Sequence, residues 1–230
     1  MQKSLSENHM VFVNMKHWNM LYIISLGIFH CRNVPTNSSD EAKNEKNHLT
    51  RFEKQIEIIL NKFATIDLNK KPQILEIGSG IGTFLSISKS RGIQAIGCDI
   101  SKWAVLEANS KGLDTKHGTI DMFCKDNEFD IVCGFNIIEH LESPSDFLNQ
   151  IKRVLKKNGL LVIETPIQES LMHFVAHAAY ELTFGRVEFF SLTPNGHLYK
   201  FSRKTFKMIS DLWDFELLHW ENINSLLPSI

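Results

Sequence analysis

Four short apolar runs, QILEIG (73–78), IQAIGCD (93–99), FDIVCGF (129–135) and LLVIETP (160–166), alternate with stretches of helical periodicity, and no other feature constrains the fold as strongly. Runs of this length that are apolar at consecutive positions suit strands buried on both faces. Between them, Thr83 to about Arg91 reads as one helix and Ser101 opens another. Ser143, Pro144 and Asp146 supply an N-cap, a proline at the first helical position and an acid in the first turn. The stripe Phe147, Leu148, Ile151, Val154 and Leu155 follows, and Asn158-Gly159 is expected to end that helix. A weak strand is expected near Asp114 to His117, a last helix over SRKTFKMISDLW and a last strand at FELLHW.

Strand and helix in strict alternation with short connections imply a parallel sheet covered on both faces. The expected fold is α/β, Rossmann-like and doubly wound, mostly parallel, with a helical lid inserted over about 166–200, before the last helix. In such folds ligands bind outside the carboxyl ends of the strands. The loops after the four runs should therefore line one crevice.

At 230 residues the chain has room for one such domain. Thr50-Arg-Phe-Glu53 has capping-box spacing ahead of Phe52, Ile56, Ile59, Leu60 and Phe63, so the domain is expected to run from 50 to 230, with 1–49 an N-terminal extension. Within that extension the polar stretch at 33–48 reads as a linker. The decade MLYIISLGIF (20–29) is too short to span a bilayer and runs into Phe-His-Cys rather than a small-residue cleavage site. It reads as a helix or strand packed on the domain, against the alternatives of a signal or anchor, and no stable membrane insertion is expected. A start codon lying upstream of the one used would also leave such a segment.

The formal charge of −1, with both signs interspersed, provides no basic stripe, so nucleic acid is not an expected partner. Four cysteines with no C-x-x-C pair read as reduced thiols, and a cytoplasmic setting is expected.

The first run opens into Gly78-Ser79-Gly80-Ile81-Gly82. A dinucleotide fingerprint needs a third glycine where this chain has Thr83, and a G-x-x-x-x-G-K phosphate loop is absent. Glu76 at the lip would repel an anion and welcome an ammonium. Asp99 closes the second strand, where an acid can accept both hydroxyls of a ribose. A ribose, no phosphate and an ammonium end together describe S-adenosyl-L-methionine.

LEIGSGIGTFL, GCDIS, FDIVCGFNIIEHLESP and LKKNGLLVIETP resemble successive signatures of class I S-adenosylmethionine-dependent methyltransferases. They are most similar to the branch of the ubiquinone-biosynthesis O-methyltransferases, over roughly residues 50–220. The resemblance implies that Gly78, Gly80 and Gly82 admit the methionine part of the cofactor, with Ser79 in the same loop, that Glu76 answers its amino group and that Asp99 holds the ribose. It places Ile100 against the adenine, and Thr119 and Ile120 where relatives present an acid to the adenine amino group, with Thr119 in the acid's place. Asn136 is expected near the sulfonium, and Glu139-His140 matches the family's EH pair.

Transfer to a hydroxyl requires removal of its proton, for which His140 is the first candidate and His197 the second. Tyr199, in HLYKFS, is a candidate to orient the acceptor. The expected acceptor is a small molecule, a lipid-linked substrate or a glycan precursor, methylated at oxygen. Glu169, His173, His177 and Glu181 recur every four residues, but no third ligand is fixed by spacing, so they read as the polar face of an amphipathic lid helix and no metal is expected. Only ten residues follow FELLHW, so the family's final antiparallel strand should be short, missing or supplied otherwise; if missing, its open edge could be covered in a homodimer. Two other readings compete: a non-catalytic cofactor-binding regulatory module, and a nicotinamide-dependent oxidoreductase, which keeps Asp99 but fails on Thr83 and Glu76.

Overall fold

A computed structural model of the chain describes residues 7–15, 38–66, 71–167, 182 and 198–222. Its strands are β1 (Glu7–Met15), β2 (Gln73–Ile77), β3 (Gln94–Asp99), β4 (Thr115–His117), β5 (Phe129–Phe135), β6 (Leu155–Ile167) and β7 (Phe215–Asn222). Its helices are α1 (Ser38–Ala64), α2 (Thr83–Ser90), α3 (Lys102–Ser110), α4 (Pro144–Val154) and α5 (Arg203–Trp213). The strands form one sheet in the order β4-β3-β2-β5-β6-β1-β7. The pairs β3–β4, β2–β3, β2–β5 and β5–β6 are all parallel, as the alternation requires.

The strand runs feed two cores. On one face Ile74, Ile131, Cys133, Leu160 and Val162 pack with Ile56, Ile59 and Phe63 of α1 and Phe84 and Leu85 of α2. On the other, Leu75, Val132, Leu161 and Ile163 pack with Leu148 and Ile151 of α4 and Phe206 and Ile209 of α5. Neighbouring residues of a strand point to opposite faces, which is why both parities of these runs are apolar. Cys98, Cys124 and Cys133 are buried free thiols within this packing.

Two expectations need correction. From Ser38 onward the polar stretch read as a linker belongs to α1, so Thr50 to Glu53 lie within a helix rather than at its start. Polar composition misled there, because Glu, Ala and Lys favour helix and Asp40 and Glu41 suit an N-terminal turn. Leu155 was expected on the stripe of α4 but already has extended backbone, with φ −78° and ψ 134°, and pairs with Phe129. Asn158, at φ 61°, and Gly159 then lie inside β6 rather than closing a helix.

On the sheet's far side, one of the three expected alternatives holds. The final antiparallel strand is supplied by the front of the chain: β1 pairs antiparallel with β6 from Glu7↔Ile167 to Asn14↔Leu160, and antiparallel with β7 on its other side. The gap beside β6 is therefore closed from within the chain. The 20–29 decade and most of the lid segment lie outside the described residues. Among the described residues no helix is long and apolar enough to cross a membrane.

Candidate functional site

The carboxyl ends of β2, β3 and β5 bring three loops to one side of the sheet. The loop after β2 turns on Gly78, Gly80 and Gly82, at φ 69°, 52° and 82°, left-handed values that side chains resist. Space is a second requirement: a Cβ at Gly78 would run into Ile137 Cδ1, and one at Gly82 into Leu113 Cδ1. Gly78 and Ser79 donate their backbone N–H groups to Cys98 O at 2.7 and 3.0 Å, which ties the loop to β3. Gly97, not singled out in the sequence, permits that approach, since a Cβ there would lie 2.5 Å from Ser79 Oγ and 2.7 Å from Leu85 Cδ1.

Asp99 ties the same loop to the start of α3. Its Oδ2 accepts from Gly80 N at 2.8 Å and its Oδ1 from Ser101 N at 2.7 Å. Each oxygen keeps lone-pair capacity for a further donor. Glu76 is 3% exposed, and among the described residues its Oε2 has no hydrogen-bond partner. Burial, and secondarily the charge of Asp99, pushes its carboxyl well above the ordinary glutamate range. A buried carboxylate oxygen without a donor is costly, and a cationic donor at the loop would satisfy it. The glycine cradle, the orphaned Glu76 oxygen and the Asp99 carboxylate fit a ligand that presents an ammonium and hydroxyls.

The structure places the adenine candidates unevenly. Ile100 is half-buried, and its carbonyl lies 3.2 Å from His117 Nε2. Thr119 is half-buried at the start of a short turn, Ile120–Met122. Ile120 is buried in the core, with its carbonyl taken by Arg153 Nη2 at 3.3 Å. Its side chain thus supports the loop from beneath.

After β5, Asn136 adopts φ 54°, and Ile138–His140 form one short turn. Glu139 is 1% exposed; its Oε2 accepts from Thr165 Oγ1 at 2.9 Å, and burial raises its carboxyl above the ordinary range. The His140 side chain is 42% exposed, with Nε2 4.0 Å from Glu139 Oε1. Tyr199 lies on the same side: its N–H donates to Glu139 O at 3.2 Å and its hydroxyl to Glu142 O at 3.1 Å. His197 and the Glu169, His173, His177, Glu181 stripe lie outside the described residues. Among the described residues no three His, Cys, Asp or Glu gather as a metal-holding group.

Three residues of this side were missed. Glu164, in the last part of β6, is 0% exposed and meets Arg51 and Gln55 of α1. A charge closing an apolar run was the available signal for Glu164, the same one that singled out Glu76. Arg51 and Gln55, one turn apart among Phe52, Ile56 and Ile59, had no local signal to separate them from a solvated helix face.

Residues 48–219 match the family described as "Methyltransferase domain". The chain is 26% identical over 132 residues to the mitochondrial ubiquinone biosynthesis O-methyltransferase of Dictyostelium discoideum, covering 50% of this chain and 41% of that protein. It is 33% identical over 116 residues to ajmaline N-methyltransferase of Rauvolfia serpentina, covering 46% and 40%. The matches thus span about two-fifths of the length of these two relatives. A crystal structure from Bacillus halodurans C-125, of a protein provisionally assigned as a methyltransferase, superposes with a TM-score of 0.50 at 18% identity over 70% of each chain. That likeness concerns the fold.

Proposed function

We propose, starting from a chain that belongs to the methyltransferase domain family, that it transfers the methyl group of S-adenosyl-L-methionine to a hydroxyl of a small-molecule, lipid-linked or glycan-precursor acceptor. The observation that carries the cofactor assignment is the buried Glu76 oxygen without a donor, beside a loop in which a Cβ at Gly78 or Gly82 would collide with a neighbour. When bound, S-adenosyl-L-methionine supplies a methyl group already activated by its sulfonium. Gly78, Gly80 and Gly82 let backbone approach the methionine part, and Glu76 takes its ammonium. Asp99 accepts the ribose hydroxyls with the lone pairs its two backbone donors leave.

With the leaving group activated, the chain's work is alignment and exclusion of water, worth up to about 7–11 kcal/mol in favourable systems. His140 accepts the acceptor's hydroxyl proton, and its half-exposed ring beside the Glu139 carboxylate is suited to that task. Oxygen is the proposed acceptor atom because an amine needs no such base. The two relatives' names point one to oxygen and one to nitrogen.

The test is the thermal midpoint of the purified chain with S-adenosylhomocysteine, with NAD, and with neither, in the natural sequence and in Asp99→Ala. Ligands that bind only the folded state raise it. A rise with S-adenosylhomocysteine, absent with NAD and lost in Asp99→Ala relative to that variant's own baseline, supports the reading. A rise with NAD alone favours the nicotinamide reading, and binding without transfer to any hydroxyl or amine acceptor favours the regulatory module.

A further inference from the structure

Glu164 lies in the last part of β6, with its side chain 0% exposed, and collects donors from two elements. Gln55 Nε2 donates to its Oε2. Asn136 Nδ2 donates to Oε1 at 3.1 Å, and Arg51 Nη1 lies 3.4 Å from the same oxygen. The Asn136 N–H also donates to Glu164 O at 2.8 Å, so both ends of Asn136 are held by one residue. That grip maintains a left-handed backbone, φ 54°, at a residue that has a side chain.

An ionised carboxylate only accepts hydrogen bonds. It therefore decides which way the Asn136 amide faces, because only the NH2 end can be turned toward Glu164. The carbonyl oxygen Oδ1 is the atom left over. Asn136 lies two residues past Gly134, which is in register with Ile77, and the adjoining Ile137 packs over Gly78, so Asn136 stands beside the glycine loop.

The geometry points to Glu164 as the positioning residue that orients Asn136, so that its carbonyl oxygen rather than its NH2 meets the positively charged methionyl end of the ligand held by the glycine loop. The inference rests on the cofactor reading above and adds to it a means of telling a charged ligand from a neutral one. Arg51 and Gln55 are part of the device, since they balance and fix the Glu164 carboxylate from α1. A glutamine at 164 could present either its oxygen or its NH2, and the Asn136 amide would no longer have one preferred direction.

The test compares dissociation constants, by calorimetry on the purified full chain, for sinefungin, which carries a cationic amine at the sulfonium's place, and S-adenosylhomocysteine, which carries a neutral sulfur. Neither measurement depends on turnover or on knowing the acceptor. The variants are Glu164→Gln, Asn136→Leu and the double variant, each with its own thermal midpoint. Expected is a preference for sinefungin that falls about five- to tenfold in each single variant and no further in the double, as for two residues acting as one unit. Equal weakening of both ligands with the preference unchanged would make Glu164 merely structural and overturn the inference. So would additive losses, because Glu164 would then act directly through its charge. Asn136→Leu leaves the Arg51, Gln55 and Glu164 contacts in place, so a failure of Glu164→Gln to fold does not remove the readout. Failure of the natural sequence to bind either ligand would overturn the cofactor reading and this inference together, whereas binding of both without a change in preference overturns the inference alone.

Discussion

Glu76, next to last in β2, and Asp99, last in β3, lie on adjacent parallel strands, and the charge of Asp99 adds to burial in holding the Glu76 carboxyl above its ordinary range. The folded chain thus keeps a proton on Glu76 to higher pH than the unfolded chain does. By linkage, that contribution to stability is fully present below the unfolded glutamate value and is lost as pH rises through the raised folded value. Glu139, raised by burial, adds to the same slope.

Glu76→Gln should therefore flatten part of the decline in thermal midpoint as pH rises above the ordinary glutamate range, and leave the ligand-free protein at least as stable there. The same change should weaken S-adenosylhomocysteine by about 2 kcal/mol, roughly thirtyfold, the scale of a hydrogen bond to a charged group. Melting curves across pH and calorimetry at one pH check the two halves. A variant less stable at the alkaline end of that range with unchanged affinity would show that Glu76 holds the fold rather than the ligand.

Gly97→Ala would press a methyl group against Ser79 Oγ and Leu85 Cδ1 and displace the glycine loop from β3. Overpacking of this kind costs about 1–3 kcal/mol. Denaturant melts should show that loss together with weaker S-adenosylhomocysteine binding. Adding Ser79→Gly should restore part of the stability, because one of the two obstructing side chains is then gone.

Much of this was legible because it is local. The buried strand runs, the glycine loop and the acids closing β2 and β3 can each be read within a dozen residues. What could not be read depends on distance along the chain. In ENHMVFVNM only Met10 to Val13 are consecutively apolar, too short a run to announce a strand whose first pair, Glu7↔Ile167, joins residues far apart in the chain. Glu164 was visible as a charge on a buried run, but its partners Arg51 and Gln55 come from a helix more than a hundred residues earlier. The α4 to β6 boundary failed for another reason, since Leu155 suits either a helix stripe or a buried strand and only its pairing with Phe129 decides between them.

Because β1 lies between β6 and β7, a proline at Val11 would fall inside the sheet, with pairing on both sides, at Ile163 and Trp220. Proline removes a ladder donor and is tolerated mainly at edges. Val11→Pro should cost about 3 kcal/mol or more, lowering the thermal midpoint by roughly 6–12 °C for a chain of this size. An unchanged midpoint would mean that β7 and β6 hold together without this strand.

The acceptor atom can be decided through His140. If its ring takes the proton of a hydroxyl, His140→Ala should lower kcat toward hydroxyl acceptors by about 10²- to 10⁴-fold. Affinity for S-adenosylhomocysteine should hold, because the ring is half-exposed and its backbone N–H bond to Ile137 O does not need the side chain. Transfer to an amine already neutral at the assay pH needs no base and should be nearly unaffected. A screen of paired hydroxyl and amine acceptors with both proteins separates the cases. Selective loss on hydroxyls identifies the base, whereas equal loss on both would assign His140 to holding the loop. No loss on hydroxyls would move the proton transfer to another group, with His197 the next residue to substitute.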